Sequence, residues 1–300
     1  MRSVNAFLTK INTIHLILFL VVGQNIISFS QLNISTFEEF TQIRNNPYLI
    51  NPASSDTSYR LKCSANLLQD LGFFKGVYKS YLDVDKRLRS KSKLQNNWIG
   101  FQFTNSTYGE YIHKNRFSLR YSWSTPLNYN LLLSTGASLG VVNFAFLTSQ
   151  GGGGDSDFDM DGSLGIRLIS KKGQLGISSQ HIFNSEIPPL NDSYKSPRLF
   201  LAEYFRNYSI SMDLNLRGAL IAQYSELKEK YASFAMDLDW KKIYSVGYTY
   251  HSMHRSSFQA GLLCFSYNQL DFSTQFVYSI YHINGRNSSD ALEIYISVFY

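Results

Sequence analysis

The residues best suited to chemistry are three alternating aspartates near the middle of the chain. Asp157, Asp159 and Asp161 precede Gly162 and read D-x-D-x-D-G. Carboxylates at this spacing open the calcium loop of EF-hand proteins. The twelfth position of such a loop, where a bidentate glutamate is expected, holds Leu168. The three aspartates are therefore a calcium candidate from an incomplete motif, and the alternative is a charged loop that leads into a strand.

Other reactive side chains form no recognisable constellation in the sequence. His251 and His254 are close together, but no carboxylate or thiol stands beside them. Cys63 and Cys264 have no Cys or His at metal-ligand spacing, and whether they pair is left open. The glycine run at 151–154 lacks the Gly-Lys-Ser/Thr ending of a phosphate loop. We therefore expect no enzymatic activity and no cofactor.

Composition argues against a nucleic-acid-binding protein and leaves membrane insertion open. The net charge is +6, but the basic residues are scattered apart from the run at 86–93, which we interpret as a solvated loop. Mean hydropathy is −0.17, a value typical of soluble proteins. A strand of a membrane barrel also has middling hydropathy, because lipid-facing and lumen-facing side chains alternate along it.

The N-terminus reads as a secretory signal peptide. Arg2 and Lys10 form a basic region, the segment 14–22 (IHLILFLVV) is apolar, and Ser28 and Ser30 are small residues before Gln31. The apolar core is shorter than the roughly 20 residues that a membrane-spanning helix needs. We predict cleavage after residue 30.

Period-two alternation predicts strands through most of the chain after residue 57. The clearest stretch is 209–217, where Ile210, Met212 and Leu214 alternate with polar residues, and the last strand runs over 291–300. The pattern predicts about 14 antiparallel strands, an even number as in single-chain bacterial barrels. Polar positions expected to face the lumen are Asp213, Asn215, Arg217, Asp237 and Asp239. A soluble β-sandwich is the alternative, but aromatic residues at 15% favour a barrel with aromatic girdles.

The connections also alternate in length. Tight turns are predicted at Thr125-Pro126, 171–173, 206–208, Lys241 and Asn268, whereas longer polar loops fall between them. Bacterial barrels have short periplasmic turns and longer extracellular loops. This pattern predicts that both termini are periplasmic.

An ordered series of short motifs resembles the PorP/SprF family of type IX secretion and gliding-motility outer-membrane proteins. The resemblance begins at 37–53 (FEEFTQIRNNPYLINPA), continues through Ile99-Gly100, Tyr108-Gly109, 117–123 and 133–140, and is closest at 158–184 (FDMDGSLGIRLISKKGQLGISSQHIFN). The terminal strand fits as well. Together these motifs cover nearly the whole chain after the signal peptide.

The resemblance implies a non-enzymatic protein of the bacterial outer membrane. Its expected surroundings are outer-membrane lipid, periplasmic subunits of the secretion or motility machinery, and exported adhesin-type proteins. It would support export or surface attachment of adhesins and gliding motility. The alternative function is an outer-membrane channel or porin for small solutes.

Three segments are predicted: a signal peptide at 1–30, a periplasmic or lumenal segment at 31–57, and a barrel at 58–300. The middle segment contains Asn51, Pro52 and Ala53, which we predict to dock a partner. The steps Asn46-Pro47 and Asn51-Pro52 bias this segment toward extended backbone.

Overall fold

The structure, a computed structural model, describes residues 41, 45–54, 59–72, 76–88, 96–109, 112–146, 155–184, 186–187, 194–252, 255–267, 270–283 and 286–300. These residues belong to one compact unit spanning 35–300. The predicted signal peptide, the glycine run at 151–154, His254 and the basic residues at 89–93 lie outside the described residues. Within the described ranges, no helix is long and apolar enough to cross a lipid bilayer.

Sixteen strands are described, in an order that follows the chain. They are β1 (Leu61–Gly72), β2 (Val77–Leu88), β3 (Asn96–Tyr108), β4 (Ile112–Asn128), β5 (Leu131–Phe146), β6 (Asp155–Ser170), β7 (Gly173–Gln180), β8 (Glu186–Ile187), β9 (Tyr194–Lys195), β10 (Leu199–Ser209), β11 (Leu214–Ser225), β12 (Lys230–Trp240), β13 (Tyr244–His251), β14 (Arg255–Tyr267), β15 (Leu270–Ile283) and β16 (Arg286–Phe299).

Fourteen of these strands form a closed antiparallel barrel, which confirms the predicted fold. Each barrel strand pairs with the next along the chain, β7 pairs with β10, and β8 and β9 form a separate two-stranded pair. The barrel closes where β1 meets β16, with Lys62 opposite Phe299 and Gly72 opposite Ser289. Closure leaves no sheet edge unpaired.

The barrel strands are apolar outside and polar inside, the reverse of a soluble β-sandwich. In β4, Phe117, Leu119 and Tyr121 are 46%, 58% and 50% exposed, whereas the intervening Arg116, Ser118, Arg120 and Ser122 are buried. In β16 the exposed residues are Leu292, Ile294 and Ile296, and Glu293 between them is fully buried. An outward apolar band around a polar interior is the arrangement that a lipid bilayer requires.

Two turns lie at other positions than predicted, and one of them interrupts the strand predicted over 209–217. Residues 210–213 form the turn between β10 and β11, in which Ile210 N–H donates to Leu214 O at 2.9 Å. The alternation that indicated one strand therefore continues through a turn, and Asp213 lies in that turn rather than on the lumenal face. Thr125-Pro126 likewise lies within β4, and the turn follows at Tyr129-Asn130.

Candidate functional site

Residues 45–54, which we call the lumenal segment, lie inside the barrel. Asn45 O accepts a hydrogen bond from Lys62 of β1 at 2.6 Å, whereas Ile50 O accepts one from Ser178 of β7 at 2.6 Å. A stretch of chain that contacts such widely separated strands of a closed barrel must lie within it. Ile50, Asn51 and Ala53 are fully buried.

A proline sets the local conformation at the start of this segment. Pro47 begins a 3₁₀ turn, Pro47–Leu49, and Asn46 before it has φ −132° and ψ 75°. The residue before a proline avoids the helical region, and a proline at the first helical position lacks only an N–H that would be unpaired anyway. Two successive amides, Ile50 and Asn51, donate to Pro47 O at 3.2 and 3.1 Å. The extended backbone expected from the prolines is thus interrupted by one tight turn.

The turn directs its two apolar side chains into different hydrophobic clusters. Ile50 packs in a cluster of β10 and β11 side chains, namely Leu199, Leu201, Phe205, Ala219 and Ile221. Leu49 packs with Leu68, Tyr81, Ala291 and Tyr295. Because each residue points to a different side of the barrel, this pair fixes the rotation of the segment within the lumen.

Asn51 both shapes its own turn and anchors it to the barrel. Its side-chain Oδ1 accepts a hydrogen bond from Ala53 N–H at 2.9 Å, which is the Asx-turn geometry. Its backbone oxygen accepts bonds from Ser54 N–H at 3.1 Å and Ser54 Oγ at 2.8 Å. Its Nδ2 donates to Glu203 Oε1 at 2.7 Å. Aspartate could make the Asx turn but not the last bond, because a carboxylate has no donor.

The acceptor of that bond belongs to a buried ion pair. Arg167 of β6 donates from Nε and Nη2 to Glu203 Oε1 of β10, at 2.8 and 2.6 Å. The Arg167 guanidinium also lies 5.4 Å from the ring centroid of Phe205. Arg167 and Glu203 are 1% and 3% exposed. A buried charge is tolerated only when it is paired and hydrogen-bonded, and the Asn51 amide adds a further donor to the buried Glu203 carboxylate.

Three glycines allow the segment to lie directly on the barrel wall. A Cβ atom on Gly136 of β5 would overlap with the backbone of Pro52, and one on Gly165 of β6 would overlap with Oδ1 of Asn51. On Gly176 of β7 it would overlap with Glu203 and approach Asn51 Nδ2 to 2.8 Å. Glycine is the residue that permits such close approach of another part of the chain to a strand.

Polar side chains of this wall satisfy the carbonyl groups of the segment. Gln180 Nε2 donates to Leu49 O at 2.8 Å, and Ser134 Oγ donates to Ala53 O at 2.6 Å. Together with the Ser178 bond, these contacts supply the partners that buried carbonyls need. These hydrogen bonds are accepted by backbone oxygens of the segment, so they depend on where its backbone runs and not on its side chains.

Tyr48 connects the segment to a second buried ion pair. Its hydroxyl donates to Asp85, and the Arg120 guanidinium lies 3.6 Å from its ring centroid. Arg120 also donates to Asp83 and Asp85, each at 3.1 Å. Burial raises the pKa of the Tyr48 phenol well above its usual range, so the hydroxyl stays a donor. The stacked guanidinium and the ring exclude water from each other's faces.

The opposite wall holds the beginning of the segment through longer side chains. Asn45 Nδ2 donates to Gln275 Oε1 at 2.6 Å, and Tyr295 OH donates to Asn45 O at 3.3 Å. Thr41, which precedes the segment, donates its N–H to Glu293 Oε2 at 3.0 Å. Both ends of the described segment are therefore anchored.

The predicted calcium residues form part of a strand and not of a loop. Asp157, Asp159 and Asp161 lie in β6, and Asp161 pairs with Arg116 at 2.6 Å and with His181 Nδ1 at 3.0 Å. The three aspartates thus alternate along an extended strand and do not form the EF-hand-like loop that the motif predicted, and calcium binding by them stays a prediction. In the described part of the chain, no group of three or more His, Cys, Asp or Glu could hold a metal. Cys63 and Cys264 are free thiols.

Sequence reasoning named Asn51, Pro52 and Ala53 but missed the residues that hold them. Their role in docking a partner stays a prediction, and the structure places all three inside the lumen. Glu203, Arg167 and the three wall glycines come from strands far away in the sequence. The sequence could have pointed to Glu203, because it is a charged residue at an inward position of a predicted strand, between Ala202 and Tyr204.

A closed barrel with an apolar outer surface and a polar interior, filled in part by its own N-terminal segment, defines an outer-membrane β-barrel. Solved structures agree on the fold. A Pseudomonas aeruginosa FadL homologue matches with TM-score 0.53 at 10% identity, over 86% of this chain and 93% of that one. The P. putida toluene transporter TodX matches with TM-score 0.51 at 9% identity, over 88% and 94%. The CymD monoaromatic hydrocarbon channel matches with TM-score 0.51 at 10% identity, over 88% and 93%.

The sequence itself defines the family. Residues 35–298 match the family of the type IX secretion system membrane protein PorP/SprF, and the chain belongs to that family. It is thus an outer-membrane component of the type IX secretion system and acts together with the secretion machinery. A comparison with curated protein sequences gives no significant match.

Proposed function

We propose that this barrel supports the export or surface attachment of adhesin-type proteins without catalysing a reaction. It would bind periplasmic subunits of the machinery on one side of the membrane and the exported protein on the other, surrounded by outer-membrane lipid. Family membership gives the system, and the occupied lumen is the observation that carries the role. A lumen crossed by an anchored segment favours an attachment protein over an open conduit.

The test is co-purification of the tagged, full-length protein from the outer membrane of its native host in mild detergent. Recovery of periplasmic secretion or motility subunits, or of a large surface adhesin, is the expected result. A deletion strain should carry less adhesin on its surface and, if that adhesin drives movement, should glide poorly. Normal surface adhesin in the deletion strain would contradict the proposal.

Transport of small solutes is the alternative, because the solved barrels with this fold include a hydrocarbon channel and a toluene transporter. Their low identity extends only to the fold. Conductance in a planar bilayer distinguishes the two functions. A wild-type barrel that conducts steadily would favour the channel, whereas conductance only after the lumenal segment is displaced would favour attachment.

A further inference from the structure

One end of the barrel carries an exposed patch of lysines and apolar side chains. It lies on two adjacent turns, at 210–213 and 241–243, at the same end as the C-terminal residue Tyr300. Lys241 N–H donates to Asp213 O at 2.6 Å, so the two turns are in contact. We call the exposed residues Ile210, Met212, Lys241 and Lys242 the turn patch.

The apolar residues of the patch are unusually exposed. Met212 is 99% exposed and Ile210 is 54% exposed, although both lie in a turn rather than on the lipid-facing surface of a strand. Neighbouring exposed apolar residues with a polar rim mark protein contacts, and methionine is enriched in such contacts.

The lysines occupy a backbone conformation that disfavours them. Lys241 and Lys242 have φ of 52° and 57°, so two successive non-glycine residues are left-handed. A β-turn whose two central residues are both left-handed favours Asn and Gly at those positions, because the Cβ of other residues is crowded there. Because Asn and Gly would form this turn more readily than two lysines, the presence of the lysines indicates a role other than folding.

The fold adds further positive charge next to the patch. Lys171 and Lys172 occupy the exposed turn between β6 and β7, and Lys172 O accepts a bond from Asn207 N–H of β10 at 2.9 Å. Asp213 is the acidic residue of the patch turns. These lysines are separated in the sequence, and the barrel brings them to one rim.

We infer that the turn patch is the docking surface for an acidic, partly apolar surface of a periplasmic protein. This inference rests on the proposed function. Bacterial barrels have short periplasmic turns, and the patch lies at the end whose connections we predict to be periplasmic, where the machinery would meet it. Charge complementarity selects an acidic partner and raises its association rate, and the exposed Met212 supplies an apolar contact.

The test compares tagged variants in the co-purification from native outer membrane. Lys241→Glu with Lys242→Glu should lower recovery of the periplasmic partner by about tenfold or more, because like charges then face each other. The matched control is Lys228→Glu with Lys230→Glu, at the opposite end, where Lys228 is also left-handed with φ 67°. The control should retain the partner.

A second variant separates docking from folding. Lys241→Asn with Lys242→Gly gives the turn the residues that its conformation favours, so the barrel should unfold at higher urea concentration. The same variant should still lose the partner. A more stable barrel with full partner recovery would overturn the inference.

The remaining outcomes are also decisive. If wild type and charge-reversed protein recover the periplasmic partner equally, the inference fails and the proposed function stands. If wild type recovers no periplasmic subunit, both fail. A further outcome is that the charge-reversed protein keeps its partner but unfolds more easily in vesicles containing phosphatidylglycerol than in vesicles of phosphatidylcholine. That result would mean that the lysines bind anionic lipid headgroups, and it would overturn the inference.

Discussion

The two walls that hold the lumenal segment differ in how closely they approach it. The wall of β5, β6, β7 and β10 is built on Gly136, Gly165 and Gly176, and the segment lies on its backbone. The wall of β1, β15 and β16 reaches the segment through the long side chains of Lys62, Gln275 and Tyr295, and Glu293 of the same wall binds Thr41 just before the segment.

This difference separates a rigid contact from an adaptable one. At Gly136 an added methyl group would meet the backbone of Pro52, and at Gly165 and Gly176 it would meet the buried side chains of Asn51 and Glu203, which are hydrogen-bonded to each other. Such groups have little room to move aside, so the methyl group must displace the segment or the strand. A long side chain can change rotamer and find another partner. The glycine wall should therefore be intolerant of substitution, and the side-chain wall tolerant.

The largest effect is expected from Asn51→Asp, which replaces a donor to Glu203 with a like charge. Leaving a buried charge uncompensated costs about 3–5 kcal/mol, enough to expel the segment. Ser54, 1% exposed, can report this through Ser54→Cys in a background with Cys63→Ala and Cys264→Ala. Labelling by a membrane-impermeant maleimide should rise sharply in the Asn51→Asp variant.

The second-site change Glu203→Gln should restore protection in that variant. It removes the like charge and frees Arg167 to pair with the new carboxylate. Glu203→Gln alone should have a smaller effect than Asn51→Asp alone. The comparison includes the parent Ser54→Cys protein, the two single variants and the double variant. Equal labelling of all four would mean that the contact between Asn51 and Glu203 does not hold the segment in place.

A smaller loss is expected from Gly165→Ala, because overpacking at a rigid contact costs about 1–3 kcal/mol. Urea unfolding in detergent micelles and Ser54→Cys labelling would both report it. Gly218→Ala in β11 is the matched control, since the nearest atom to its added Cβ is 4.0 Å away. If both glycine variants behave alike, the glycine wall is not special.

The smallest effect is expected at the other wall. Asn45→Ala removes the bond to Gln275 but leaves Asn45 O bonded to Lys62, so about 0.5–1.5 kcal/mol should be lost. The midpoint of urea unfolding would show it. An effect as large as that of Gly165→Ala would erase the distinction between the walls.

The sequence predicted the barrel because its signal is local. Period two over each strand identifies inward and outward faces, and β16 follows it over 291–298. The local pattern gave a wrong prediction where it does not determine the backbone path. At 210–213 the alternation of apolar and polar residues continues through a turn, and at Asp161 a motif typical of a loop lies in a strand. It could not place Asn51 beside Glu203 and Gly165, because that contact depends on how β6, β7 and β10 are arranged around the closed barrel.

The seam between β1 and β16 constrains the order of assembly. Thr41 binds Glu293 across 252 residues of chain, and the segment that follows Thr41 is enclosed by strands made after it. Contacts of such high sequence separation form late and slowly. Before the last strand meets the first, the open sheet lets the segment lie against its wall strands from the side, whereas after closure it can enter or leave only along the barrel axis. Its anchoring contacts can thus serve as a template on which the wall strands gather, so a weakened anchor should slow biogenesis as well as loosen the finished protein.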